Sequence, residues 1–176
     1  MKWPFVRALI VLPGMVLVLI PAAILWASAG TKYAATLPDT GQVMFWAASL
    51  VGVVGLGLRI WTDSLFLKFG DGTFAPWNPP KKLVICGPYR HVRNPMITSV
   101  VVILLAESMF LQSWPLAAWT LFFFAVHTIY FPLIEEKGLK KRFGEDYLVY
   151  QANVPRWIPR LRAWPGTQHH EQSVHR

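Results

Sequence analysis

Charge is scarce in this chain of 176 residues: Asp, Glu, Lys and Arg together make up 15%, while 54% of the residues are hydrophobic. A soluble domain usually carries roughly 25% charged residues, so the composition favours a bilayer over water as the surrounding solvent. Acidic residues are the scarcest, nine against seventeen Lys and Arg, which leaves a net charge of +8. Cysteine is nearly absent. The single Cys86 excludes an intramolecular disulfide and a multi-thiolate metal site, and no metal is expected. Also missing is the repeated basic and aromatic pattern of a groove that reads bases. The positive charge is therefore read as a topology signal and a partner for anionic lipid headgroups rather than for nucleic acid.

Long apolar runs, by contrast, are plentiful. Crossing a hydrocarbon core of roughly 30 Å takes about 20 mostly apolar residues as helix, because an unpaired backbone group in lipid is costly. Four stretches qualify: about Phe5 to Ser28, about Val43 to Trp61, Pro95 to Gln112, and Trp114 to Ile134. Arg7 in the first can snorkel to the interface. The third and fourth contain Glu107 and His127, ionisable groups whose place inside a span makes them candidates for function or for helix packing. The short "QSW" link makes the third and fourth an antiparallel hairpin. A cleaved leader over residues 1–29 is the rival reading of the first span, but its apolar region exceeds the roughly 7 to 15 residues of such signals.

Basic residues set the orientation, since positively charged loops tend to stay in the cytoplasm. Lys2 and Arg7 precede the first span, Lys68, Lys81, Lys82, Arg90 and Arg93 lie between the second and third, and eight more follow from Lys137 onward. The loop from Ala29 to Gln42 has Lys32 alone. The expected fold is thus all-α and integral to the membrane: four transmembrane helices plus a C-terminal amphipathic interfacial helix, with both termini cytoplasmic.

Three regions follow. Residues 1–69 form a two-span scaffold, in which Gly52, Gly55 and Gly57 let helices approach closely rather than cradle a nucleotide. Residues 70–162 hold a Gly- and Pro-rich cytoplasmic loop, the two-span hairpin and the amphipathic helix. In the loop, Trp77 is an expected interfacial anchor, "KLVICG" an expected short extended piece, and Gly87 and Pro88 a turn presenting Tyr89 and Arg90. In the helix, Leu139, Phe143, Tyr147 and Tyr150 recur at helical spacing, with Lys137, Lys140, Lys141 and Glu145 on other faces; Pro155 and Pro159 end it. Residues 163–176 lack an apolar pattern and read as a disordered tail, with His169 and His170 as tail residues rather than ligands.

Chemistry concentrates in three clusters on the cytoplasmic side: Tyr89 to Asn94 before the third span, Glu135 and Glu136 at the end of the fourth, and Tyr147 to Arg156 beyond it. The hairpin places the first two at the same depth. Arginine offers a planar fork to a carboxylate, glutamate accepts from hydroxyls or an ammonium, and a tyrosine face suits a cation. Since adjacent helix residues point about 100° apart, only one of the two glutamates can face a pocket squarely.

"GPYRHVRNPMI" followed by "EEKGLKKRFGEDYLVYQANVPRWIPR" resembles the superfamily of isoprenylcysteine carboxyl methyltransferases and phospholipid methyltransferases, over roughly residues 70 to 160. The resemblance implies an integral membrane methyltransferase that binds S-adenosylmethionine on its cytoplasmic side and releases S-adenosylhomocysteine. It implies a cofactor site drawn from Gly87, Tyr89, Arg90, His91, Arg93, Asn94, Pro95, Glu135, Glu136, Tyr147 and Tyr150, with Arg156, Glu135 and Glu136 as catalytic candidates. Arg156 would orient an anionic acceptor. The acceptor would be a hydrophobic or lipid-borne molecule entering from the bilayer: an isoprenylcysteine-like carboxylate, a phospholipid amine or another small lipophile. Two positions depart from the pattern: Asn94 stands where histidine is usual and Ile97 where tyrosine is frequent. His91 is a candidate substitute for the missing imidazole. The alternatives are an NADPH-dependent membrane reductase of the sterol type and a non-catalytic lipid-binding or assembly protein on the same scaffold.

Overall fold

The computed structural model describes residues 13–70 and 82–166; the start of the first span, Trp77 and the histidines of the tail lie outside them. The described residues are all-helical, with no strand among them. In chain order come a π-helical stretch, Met15–Leu19, running into α1, Ile20–Ser28; α2, Val43–Phe69; a 3-10 turn, Gly87–Arg90; α3, Pro95–Phe110; α4, Trp114–Tyr130; a second π-helical stretch, Phe131–Glu135; and α5, Glu136–Asn153. The "KLVICG" piece is irregular, extended at Cys86 with φ −140° and ψ 159°.

Two helical stretches among the described residues are long and apolar enough to cross a membrane: Val43–Phe69 and the apolar part of the continuous helical run Trp114–Asn153. Met15–Ser28 and Pro95–Phe110 are apolar but shorter. The surface of the long helices inverts that of a soluble protein. Val43, Trp46, Leu50, Val53, Leu121, Phe122 and Ile129 are all exposed, an apolar exterior that only lipid or a partner can cover. α2 also outruns the expected span. It continues from Trp61 to Phe69, past Arg59 and Asp63, because nothing interrupts helical hydrogen bonding before Gly70, whose N–H closes the last turn on Phe66 O at 2.9 Å.

The chain falls into two compact units, each built from two stretches: Met1–Arg59 with Ser99–Ile129, and Ile60–Thr98 with Tyr130–Arg176. In the first, small residues allow close helix packing. A Cβ on Gly55 would stand 2.9 Å from Ile103 Cγ1, and one on Gly52 would stand 3.5 Å from Ala106 Cβ, whereas one on Gly57 would meet nothing within 4 Å. The α3–α4 turn is closed by Ser113 N–H donating to Ser108 O at 3.0 Å, with Gln112 left-handed at φ 43°. Glu107 carries a buried Oε2 with no hydrogen-bond partner. His127 Nδ1 lies 2.9 Å from Phe123 O on its own helix, with the two rings 4.1 Å apart.

The second unit is centred on Tyr147, Tyr150, Val154 and Trp164, with Leu83, Ile85, Leu139 and Phe143 packed against them. Tyr150 sits edge-on to Tyr147 at 6.2 Å and beside Trp164 at 5.9 Å. α5 is not straight. Gly144, at φ 53° and ψ −130°, breaks it into two pieces, a conformation open to glycine because it has no Cβ.

Candidate functional site

Two local devices position the site. Gly87, at φ 52°, turns the chain so tightly against α2 that a Cβ there would stand 2.7 Å from Leu65 Cδ1. The 3-10 turn follows, Asn94 comes next, and Pro95 opens α3 with a φ already helical and no N–H to leave unpaired. On the other side, Pro132 cannot donate to the preceding turn and its ring would crowd an α-helical carbonyl. The helix widens there into the π stretch Phe131–Glu135. A π turn shifts the phase of everything after it, and it decides which glutamate turns inward.

That glutamate is Glu136. It is 3% exposed, while Glu135 is exposed to the surroundings. Arg93 Nη1 donates to Glu136 Oε1 at 2.8 Å, Arg156 Nε donates to the same oxygen at 2.9 Å, and Gln151 Nε2 donates to Oε2 at 3.0 Å. Both oxygens are engaged, three donors taking three of the carboxylate's roughly four lone-pair sites. The Arg93 side chain is 8% exposed, that of Arg156 26%. Two guanidiniums face one carboxylate, leaving a surplus of one positive charge at a largely dry site, where electrostatic interactions are stronger than in water.

Beyond α5 the chain returns as a strap. Arg93 N–H donates to Pro155 O at 2.9 Å, Arg160 N–H to His91 O at 3.0 Å and Trp164 N–H to Arg90 O at 2.9 Å, an antiparallel order along residues 90–93. Two of the expected ligands hold this strap. Arg90 Nε donates to Trp164 O at 2.6 Å and His91 Nδ1 pairs with Arg160 O at 2.7 Å. Gly87 likewise acts as a packing hinge in this geometry, and Tyr150 donates its hydroxyl to Tyr89 O at 2.7 Å.

At the centre the Arg93 side chain also acts on the Tyr147 hydroxyl through a side-chain hydrogen bond, while Asn94 Nδ2 is buried with no hydrogen-bond partner. Asn94 is 4% exposed and Tyr147 1%. The Tyr147 hydroxyl is pushed up to about 12, first by burial and then by the nearby Glu136 charge, with Arg93 and Arg156 opposing. It stays protonated at neutral pH. Burial also pushes the Cys86 thiol up, against Arg90 and Lys68, so no thiolate nucleophile is on offer. The arrangement can bind and orient charged groups.

Gln151 and Trp164 were not among the residues singled out from sequence. Gln151 lies one helical turn after Tyr147, on the face shared with Tyr150, and that spacing was the available signal. Trp164 offered none.

A family model for phospholipid methyltransferases matches residues 43–146, more than half of the chain. The chain belongs to the phospholipid methyltransferase family. As a member of it, the chain is a membrane protein of a methyltransferase kind, within the superfamily whose motifs it resembles. The matched residues include Arg93, Asn94 and Glu136 and stop ahead of Gln151, Arg156 and the strap. No curated protein matches the chain.

Proposed function

We propose that this protein transfers a methyl group from S-adenosylmethionine to a lipophilic acceptor, at the cluster formed by Arg93, Glu136 and Arg156. The observation that carries the reading is that cluster: a buried carboxylate held by two arginines, built from the parts of the chain that bear the superfamily's motif. The residues fit such a cofactor. Its carboxylate matches the cationic surplus of Arg93 and Arg156 over Glu136.

S-adenosylmethionine supplies a methyl group already activated on a sulfonium. Bound there, it would give that methyl to an acceptor's lone pair, the electron pair of the broken carbon–sulfur bond staying on sulfur as S-adenosylhomocysteine. The chain's own task is alignment, for which a fixed geometry can contribute several kcal/mol. Glu136 fixes both guanidiniums, and the outer nitrogens of Arg156 orient an anionic group. Residues 70–162 carry this task and residues 1–69 the scaffold. The basic loops support a cytoplasmic site on a four-span protein, with both termini cytoplasmic and the acceptor entering from the bilayer.

Titration calorimetry of the purified full-length protein in detergent tests the reading. A saturable heat with S-adenosylhomocysteine is expected, and a flat titration would overturn it.

A further inference from the structure

The apolar face of α5, expected from its sequence to lie on the membrane, is packed inside the protein. Leu139, Phe143, Tyr147 and Tyr150 join Val154 and Trp164 in the core of the second unit. The most exposed apolar side chains beyond Glu136 lie on the strap instead: Ile158 is 80% exposed and Leu161 fully so. The strap is held inward by its backbone at residues 155, 160 and 164 and by the Trp164 ring, and Pro159, whose φ is fixed, stands between the two aliphatic residues. Charge there has one sign. From Tyr147 to Gly166 the chain has three arginines and no acidic residue. Arg156 belongs to the Glu136 cluster, whereas Arg160, tied through Nη1 to Asn153 O at 2.5 Å, and the exposed Arg162 bracket Leu161. Next to Ile158, the Trp157 ring stands 6.4 Å from that of Phe131, and Phe131 leads into Leu133 and Ile134, both exposed. The strap therefore meets the apolar end of the helical run that starts at Trp114.

We propose that the strap is a membrane-seating element: Ile158 and Leu161 enter the boundary between headgroups and acyl chains of the adjoining leaflet, and Arg160 and Arg162 bind the phosphates of anionic lipids there. Three observations favour lipid as the occupant. The exposed aliphatic side chains continue the apolar surface at Leu133 and Ile134, in a chain whose family is a membrane one. The unbroken positive charge complements an anionic leaflet. Two aliphatic side chains also fall far short of the roughly 1,000 Å² that a specific protein interface buries. Arginine suits the place, since its fork pairs with phosphate and its stem lies along apolar surface. Seating has a consequence inside the protein. The strap carries Arg156 to Glu136 and its backbone bonds hold residues 90, 91 and 93, so lipid composition acts on that cluster through the strap.

The test uses the full-length protein in lipid nanodiscs. A bimane label on Leu161→Cys, in a Cys86→Ser background, is read against two quenchers: a nitroxide on a phosphatidylcholine acyl chain just below the headgroup, and aqueous iodide. The expected label is quenched by the nitroxide and shielded from iodide. Any label that the nitroxide fails to quench overturns the proposal, whether it is open to iodide or, with a protein partner or a second copy on this surface, shielded from it as well. Should that variant fail to assemble, Ile158→Cys carries the same reading. A second readout needs no label: trypsin cleavage after Arg160 and Arg162 in phosphatidylcholine discs with and without phosphatidylglycerol. A basic residue at an anionic surface is worth about a fivefold change in partitioning, so phosphatidylglycerol should slow cleavage about fivefold or more. Leu161→Glu, a change at a fully exposed side chain, should cancel that protection. Cleavage indifferent to lipid charge overturns the proposal too. Neither readout involves S-adenosylmethionine, so their outcome is independent of the methyl-transfer reading.

Discussion

Arg93 and Glu136 stand 43 residues apart in the chain and 2.8 Å apart in space, both almost wholly buried. The pair joins the residues ahead of α3 to the first residue of α5, and Arg156 adds the strap to the same carboxylate oxygen.

Removing one partner of a buried ion pair strands the other charge, at a cost of about 3–5 kcal/mol. Glu136→Gln and Arg93→Met are therefore expected to lower the melting temperature in detergent markedly. Arg156→Gln should cost far less stability, because its side chain is partly exposed and screened. Equal losses for Arg93 and Arg156 variants in a thermal scan would contradict this ranking.

The glycines separate by what surrounds them. Gly55→Ala should be destabilising, since the new Cβ would stand 2.9 Å from Ile103 Cγ1 and 3.1 Å from its backbone nitrogen. Gly57→Ala meets nothing within 4 Å and should stabilise the helix by about 0.5–1 kcal/mol. Gly87→Ala combines a 2.7 Å approach with φ 52°, and strain at such a backbone position alone costs on the order of 1–3 kcal/mol. Melting temperatures of the three variants should rank Gly57→Ala above the parent and the other two below it.

Alkaline pH should unfold the protein through its buried tyrosines. Tyr147 is raised to about 12 and Tyr150 well above its ordinary 10, burial being the first cause for both. Below pH 10 both are neutral whether folded or unfolded, so stability is full. Between pH 10 and 12 the unfolded chain loses these protons and the folded one does not, so stability falls as pH rises. Tyr147→Phe should make that decline shallower, read as melting temperature against pH, and an unchanged slope would count against the burial of this hydroxyl.

Trp164 anchors the strap against Tyr150 and is itself buried. Trp164→Ala should release the segment carrying Arg160 and Arg162, and limited trypsin digestion should cut there several-fold faster than in the parent protein. Equal cleavage rates would mean that the backbone bonds alone hold the strap.

Much of this was legible from hydropathy and charge. The helices follow from apolar runs, and the end of α1 at Ser28 and the α3–α4 turn lie where the sequence puts them. α2 runs past the apolar span to Phe69, because charge does not stop a helix, and it ends where the Gly- and Pro-rich loop was read to begin at Gly70. The three clusters were visible from the hairpin's geometry. The choice of Glu136 over Glu135 was not, because it depends on the π turn at Pro132. The strap was also hidden: it is held by backbone hydrogen bonds, which leave no side-chain periodicity to read. With it was hidden the use of Arg90 and His91 as clasps.

The central claim is methyl transfer at the Arg93–Glu136–Arg156 cluster. Its most direct test is the transfer of labelled methyl from S-adenosylmethionine to a membrane lipid extract, with the product identified by mass, comparing the parent protein with Arg156→Gln. Labelled lipid formed by the parent and reduced about tenfold or more in the variant, the scale of a lost charge-assisted hydrogen bond, is the predicted result. No labelled product from the folded parent protein, or equal product from a folded Arg156→Gln, would contradict it.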